Sequence, residues 1–139
     1  MKTIELSGRG VVSGKAKGFA LVTAQPISFF GGLDPERGVV IESGHELEGE
    51  KVAGKILVFP GGKGSTVGSY VIYAMKKNGT APNAMINVET EPIIAVGCIL
   101  AGIPLMDKLD KNPVKIIKTG DFVRVQANKG IVEINKGIL

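Results

Sequence analysis

Residues 55–79 read KILVFPGGKGSTVGSYVIYAMKKNG, and the fold turns on how they are read. Ile56 to Phe59 is an unbroken apolar run ended by Pro60, the pattern of a strand buried on both faces. After the glycines, Val67, Tyr70, Val71, Ala74 and Met75 recur at helical spacing, and Lys76, Lys77 and Asn78 polarise the end. Gly79 is a natural helix stop. A strand, a glycine turn and a helix thus follow one another, with Ser65 or Thr66 at or near the helix N-cap. Three readings of the turn compete: a nucleotide site, a plain chain reversal, and a loop that presents Ser65 for chemistry.

The nucleotide reading fails on spacing. A Walker A loop needs Gly-Lys followed at once by Ser or Thr, with another glycine five positions before the second one. Here Gly62-Lys63 is followed by Gly64, and the earlier position is Leu57. A Rossmann fingerprint fails as well, because GGKGSTVG does not supply its glycine pattern in a dinucleotide-binding unit. What remains is an anion-stabilising turn or a simple cap. Gly61, Gly62 and Gly64 open backbone torsions closed to other residues and permit close main-chain approach. A helix start adds unpaired N–H groups and partial positive charge, and Lys63 adds a full one. A lone serine is a weak base unless its alkoxide is stabilised, and no Ser-His-Asp set is present, since His45 is the only histidine. Support for Ser65 would have to come from the helix end, Lys63 and, more remotely, Arg9 in SGRG.

Outward from this unit the chain is cut into short elements by twenty glycines and seven prolines. TIEL and AKGFALVTA read as strands, and GRGVVSGKAKG between them as a hairpin region. PISFFGGLDPERG is loop-like, with two phenylalanines that need cover. GVVIES, APNAMINV, IPLMD, VKIIKTG, DFVRVQA and GIVEIN carry strand patterns, and EPIIAVGCILAG reads as a short apolar helix or turn. The sum is a mixed α/β domain of many short strands and two short helices spanning residues 1–139, with an antiparallel end and a strand–turn–helix near the middle.

Composition narrows the function classes. Apolar content of 44% and charged content of 22% suit a globular domain rather than disorder. No apolar run reaches bilayer length, and MKTIELSGRG lacks a signal-peptide core, so the expected location is cytoplasmic, away from membranes. A single cysteine, Cys98 in an apolar stretch, excludes an internal disulfide and reads as a buried thiol. With one cysteine and one histidine, no metal site is expected within this chain. A net charge of +4 suits a small anionic substrate or partner. The lack of Trp and of dense basic runs argues against a nucleic-acid binder.

Taken together, GRGVVSGKAKGFALVT, PISFFGGLDPERGVV, HELEGEKVAGKILVFPGGKGSTVGS, APNAMINVETEPIIAVGCILAGIP and GDFVRVQANKGIVEI cover nearly the whole chain. In that order they resemble the small, swivelling-domain subunits of the aconitase X family. The resemblance implies a swivelling β/β/α fold docked on a large subunit as a heterodimer. In such enzymes the large subunit binds an iron–sulfur cluster whose open iron polarises the departing hydroxyl, and the small subunit delivers a serine base. By motif that serine is Ser65, with Gly62, Lys63, Gly64, Thr66, Arg9 and Asn83 as candidate substrate contacts. The implied reaction is dehydration of (R)-5-phosphomevalonate to trans-anhydromevalonate 5-phosphate, an isoprenoid-pathway step. Alternatives are dehydration of hydroxyproline or another small hydroxy acid, and a non-catalytic anion-binding assembly module. Relatives acting on hydroxyproline often carry Arg where Lys63 stands, and lysine lacks that planar fork. Ser28, Gly31, Gly32 and Asp34 mark a loop facing the partner or the cleft, or else a structural loop closed at Asp34-Pro35. Asn83 equally suits a strand cap, and Glu89 and Glu91, which look like a carboxylate pair, better suit an exposed turn before Pro92.

Overall fold

The computed structural model describes residues 2–137. In chain order its elements are β1 (Lys2–Ser7), β2 (Arg9–Val12), β3 (Lys15–Val22), α1 (Phe29–Gly32), β4 (Leu33–Asp34), β5 (Val39–Val40), β6 (Ile56–Phe59), α2 (Gly68–Asn78), β7 (Ala84–Asn87), α3 (Pro92–Ala101), β8 (Leu105–Asp107), α4 (Pro113–Ile116), β9 (Phe122–Gln126) and β10 (Ile131–Lys136). Eight strands form one sheet in the order β1-β10-β9-β3-β6-β7-β8-β2, and β4 pairs with β5 apart from it. Within the sheet β3, β6, β7 and β8 run parallel, while β1, β10 and β9 are antiparallel.

The apolar run at the centre explains the layering. Side chains alternate across a strand, so Ile56 and Val58 face one cluster while Leu57 and Phe59 face another. Neighbouring β7 does the same, with Ala84 and Ile86 on one side and Met85 on the other. One cluster lies beneath α2 and α3, through Ile72, Met75, Ile94 and Cys98. The second fills the inside of the curled sheet, closed by Val123, Val125, Val132 and Ile134 from β9 and β10. A strand buried on both faces is thus what the KILVFP run forms, and β6-α2-β7-α3-β8 makes two successive strand–helix–strand crossovers.

Two sequence expectations are corrected. Residues 8–18 form no hairpin: β2 pairs with β8 and β3 with β9 and β6. β1 and β2 occupy opposite ends of the strand order although only Gly8 separates them, so the sheet curls until its ends meet. There Gly8 N–H donates to the Gly130 carbonyl (2.9 Å) and Asp110 N–H to that of Ser7 (2.8 Å). A Cβ on Gly10 would overlap the Ala127 carbonyl, which is why this seam needs glycine. The second correction is VKIIKTG, which turns into α4 rather than a strand. Asn112 caps it, its side-chain oxygen accepting from Val114 N–H (3.0 Å), and Pro113 at the first position pre-sets the helical torsion. The two expected helices are α2 and α3; α1 and α4 add single turns, α1 kinked at Phe30 and Gly31.

Candidate active site

Loops leaving the C-terminal ends of β3, β6, β7 and β8 gather at one edge of the sheet, the edge where parallel α/β folds bind ligands. The glycine loop 60–67 follows β6 and is pinned to the segment after β3: Ile27 N–H donates to the Gly61 carbonyl (3.2 Å) and Lys63 N–H to that of Ile27 (3.1 Å). The Ile27 segment is itself clamped. His45, buried, accepts Leu47 N–H at Nδ1 (3.0 Å), so Nε2 carries the proton and donates to the Pro26 carbonyl (3.1 Å). Glu46 accepts from Thr23 Oγ1 and from Ala24 N–H. His45 is therefore a brace for the site and takes no place in it.

Ser65 is exposed, and its Oγ accepts Val67 N–H (3.1 Å) while its carbonyl accepts Gly68 N–H (3.0 Å). It caps the short entry turn of α2, one turn before the helix proper at Gly68. Thr66, also exposed, supplies its carbonyl to Ser69 N–H (3.2 Å). The N–H groups of Gly64, Ser65 and Thr66 donate to no acceptor among the described residues. Around the serine, then, three main-chain donors without an acceptor among the described residues lie beside the positive end of a helix.

The glycines owe their type to the protein's own packing. A Cβ on Gly62 would stand 2.5 Å from Glu91 Oε1 and 2.7 Å from Ile94 Cγ1. Gly64 has φ of 87°, and a Cβ there would meet Ser28 Oγ at 2.6 Å. Glu91 is no exposed turn residue: it is the N-cap of α3, accepting from Ile93 N–H (2.8 Å) and Ile94 N–H (2.9 Å).

Lys63 reaches Glu42, with Nζ 2.9 Å from Oε2. The pair borders an open cavity of about 360 Å³ with Ser28, Phe30, Gly31, Gly32 and Gly64. The aromatic Gly-Gly loop and the glycine loop thus share one recess. Glu42 Oε1 is the one buried side-chain oxygen or nitrogen without a hydrogen-bond partner among the described residues. No sequence signal marked Glu42, because the pairing spans twenty-one residues. Asp34 is taken up locally by Arg37 (2.6 Å) and Glu36 N–H (2.9 Å), which closes the loop as a structural turn.

Two further predicted contacts part company: Arg9 stands at the same sheet edge as the glycine loop, beside the C-terminal end of β8, and Asn83 at the other. Arg9 lies on β2 and is committed to Asp107, Nε to Oδ1 and Nη2 to Oδ2, both 2.8 Å. Asp107 also accepts Thr90 N–H (2.8 Å). Burial pushes the Asp107 carboxyl upward, but the bonds from Arg9 and Thr90 outweigh it and hold it below the ordinary carboxylate range. The charge ending the apolar IPLMD run was the readable sign of such a partner. Asn83 precedes β7, at the opposite sheet edge from Ser65, and its Nδ2 donates to the Lys17 carbonyl (3.0 Å). It ties strands together, and the strand-cap reading fits it. Glu89 lies 4.0 Å from Lys108 at the surface.

Among the described residues no group of three or more His, Cys, Asp or Glu is placed to hold a metal. Burial pushes the Cys98 thiol up to about 12 and leaves it inert. An iron–sulfur cluster does not fit these residues. No helix among them is long and apolar enough to cross a membrane.

A family model described as the aconitase X swivel domain matches residues 5–134. The chain belongs to the aconitase X swivel-domain family. This aconitase X swivel domain is 55% identical over 132 residues to the phosphomevalonate dehydratase small subunit of Methanocella arvoryzae, covering 95% of this chain and 100% of that one. It is 51% identical to the protein of the same name from Thermococcus onnurineus, covering 96% and 100%. The crystal structure of Thermococcus kodakaraensis aconitase X in its holo-form superposes with a TM-score of 0.91 at 53% identity, covering 96% and 99%. The swivel fold expected of the domain is the fold observed.

Proposed function

We propose that this chain is the small subunit of a phosphomevalonate dehydratase, a hydro-lyase completed by a larger partner subunit. The observation that carries the reading is its likeness, near half-identical and nearly end to end, to relatives bearing that name. The reaction removes a proton beside the carboxylate of (R)-5-phosphomevalonate and the neighbouring hydroxyl, giving trans-anhydromevalonate 5-phosphate and water. Ser65 Oγ is the proton acceptor in this reading. Its exposure, the unengaged N–H groups of the loop and the α2 start support that role, since such donors stabilise negative charge on oxygen. Lys63 and the recess beside Ser28 and Gly64 receive an anionic end of the substrate, with Lys63 exchanging Glu42 for it. The iron–sulfur cluster belongs to the large subunit, whose ligands this chain does not supply.

The test is co-expression with a phosphomevalonate dehydratase large subunit. The complex should dehydrate phosphomevalonate, and Ser65→Ala should leave it assembled while lowering kcat by at least about a hundredfold, in line with loss of a general base. Near-normal turnover in Ser65→Ala would sink the serine assignment. Full activity of the large subunit alone would make this chain an assembly module instead.

A further inference from the structure

We propose that a groove at the opposite end of the sheet from Ser65 binds a small molecule bearing a diphosphate group. The groove, about 510 Å³, is lined by Lys15, Lys17, Arg124 and Lys129, with Val125 and Gln126 between them. Lys15 opens β3, whereas Ser65 follows the end of β6, and the two strands are parallel. The groove and the serine loop therefore sit at opposite ends, and neither shares a lining residue with the other.

Strand register builds the site. β3 and β9 pair antiparallel, with Lys15 opposite Gln126, Lys17 opposite Arg124 and Phe19 opposite Phe122. Period-two alternation brings all six side chains to one face. Like charges directly opposite each other destabilise a sheet, so Lys17 against Arg124 is an unfavourable pairing that an anion between them would relieve. Glu133, with Glu5 opposite it on β1, lies 3.8 Å from Arg124 Nε, and among the described residues Lys15, Lys17 and Lys129 lie in no ion pair. With Arg124 paired to Glu133, Lys15, Lys17 and Lys129 present three positive charges without an ion pair.

A phosphoryl group carries about 1.5 to 2 negative charges near neutrality, so three positive charges match roughly two such groups. Beside the cations, Phe19 and Phe122 meet edge to face at 5.2 Å, Phe19 is 47% exposed, and the Arg124 guanidinium stands 5.6 Å above the Phe122 ring. That adds an apolar shelf for the organic part of the ligand and fixes Arg124 in place. The reading is independent of the dehydratase assignment.

The experiment titrates the full chain with inorganic pyrophosphate at low ionic strength, following amide NMR shifts. Saturable shifts confined to residues 15–19 and 122–129 are expected, weakening as salt is added. The double variant Lys17→Gln/Arg124→Gln removes a repulsive pair together with the weak surface Arg124–Glu133 contact, so its thermal midpoint should change little, and it should bind about tenfold or more weakly. Ser65→Ala should bind pyrophosphate as the parent does. Unsaturable shifts, or shifts spread over all surface lysines, would overturn the proposal. So would a double variant that binds pyrophosphate normally yet fails to assemble with a large subunit, which would make the groove a docking surface.

Discussion

Gly64 and Ser65 show how tightly one residue's conformation governs its neighbour's chemistry. With φ of 87° and Ser28 Oγ 2.6 Å from where a Cβ would stand, Gly64 has neither the torsion nor the space for a side chain. Gly64→Ala should cost about 1–3 kcal/mol in urea unfolding, and turnover of the assembled enzyme should fall as the loop shifts. Ser65→Ala separates the cap this oxygen makes from the proton-accepting role proposed for it. Loss of the bond to Val67 N–H should cost about 1 kcal/mol or less, the scale of an exposed cap, whereas the proposed role predicts a loss of turnover by orders of magnitude. Ser65→Thr should recover the stability, as read by thermal unfolding, since threonine also caps.

At the scale of elements, α2 and α3 hold the serine loop by packing tightly against each other. A Cβ on Gly97 would stand 2.6 Å from Ile72 Cδ1, 3.1 Å from Ile72 Cβ and 3.2 Å from Ser69 Cα. The first atom can swing aside, but the other two belong to the body of α2. Alanine gains up to about 1 kcal/mol in helix propensity, yet the crossing must open to admit it. Gly97→Ala should therefore be destabilising by about 1–2 kcal/mol, and an unchanged or raised midpoint would contradict the packing argument. Ser69 Oγ, donating to the Ile93 carbonyl (2.7 Å), ties the same two helices at their starts. Glu91, capping α3, is then the link from that helix back to Gly62, so helix capping and loop placement are one arrangement.

Across the whole molecule, closure of the sheet rests on β2 adding to β8, and the Arg9–Asp107 pair reinforces that joint. The Asp107 side chain has no solvent exposure, so its charge depends on Arg9 and Thr90 N–H. Because its folded pKa lies below the unfolded value, its contribution is complete above the ordinary carboxylate range. It is lost as pH falls through the lowered folded value. Unfolding free energy should decline on acidification below about pH 4, and Asp107→Asn should flatten that limb while lowering stability at pH 7. A variant with the same acid limb as the parent would place the effect on other carboxylates.

Much of this was legible along the chain because it depends on local pattern. The unbroken KILVFP run announced a strand buried on both sides, the helical spacing after Val67 announced α2, and the glycine turn placed Ser65 at a helix start. Pairing across the fold carries no such local signal, because partners lie far apart along the chain. The hairpin expected at residues 8–18 gave way because β2 gains more by completing the far edge beside β8 than by folding back on β3. VKIIKTG became a helical turn because Asn112 and Pro113 cap and pre-set it before its apolar spacing can act. Sequence alone thus determined the central strand–turn–helix units and the glycine loop that carries Ser65. Tertiary structure alone decided that Lys63 meets Glu42, that Arg9 serves Asp107 and that Asn83 lies at the other edge, because long-range contacts follow from how the sheet curls.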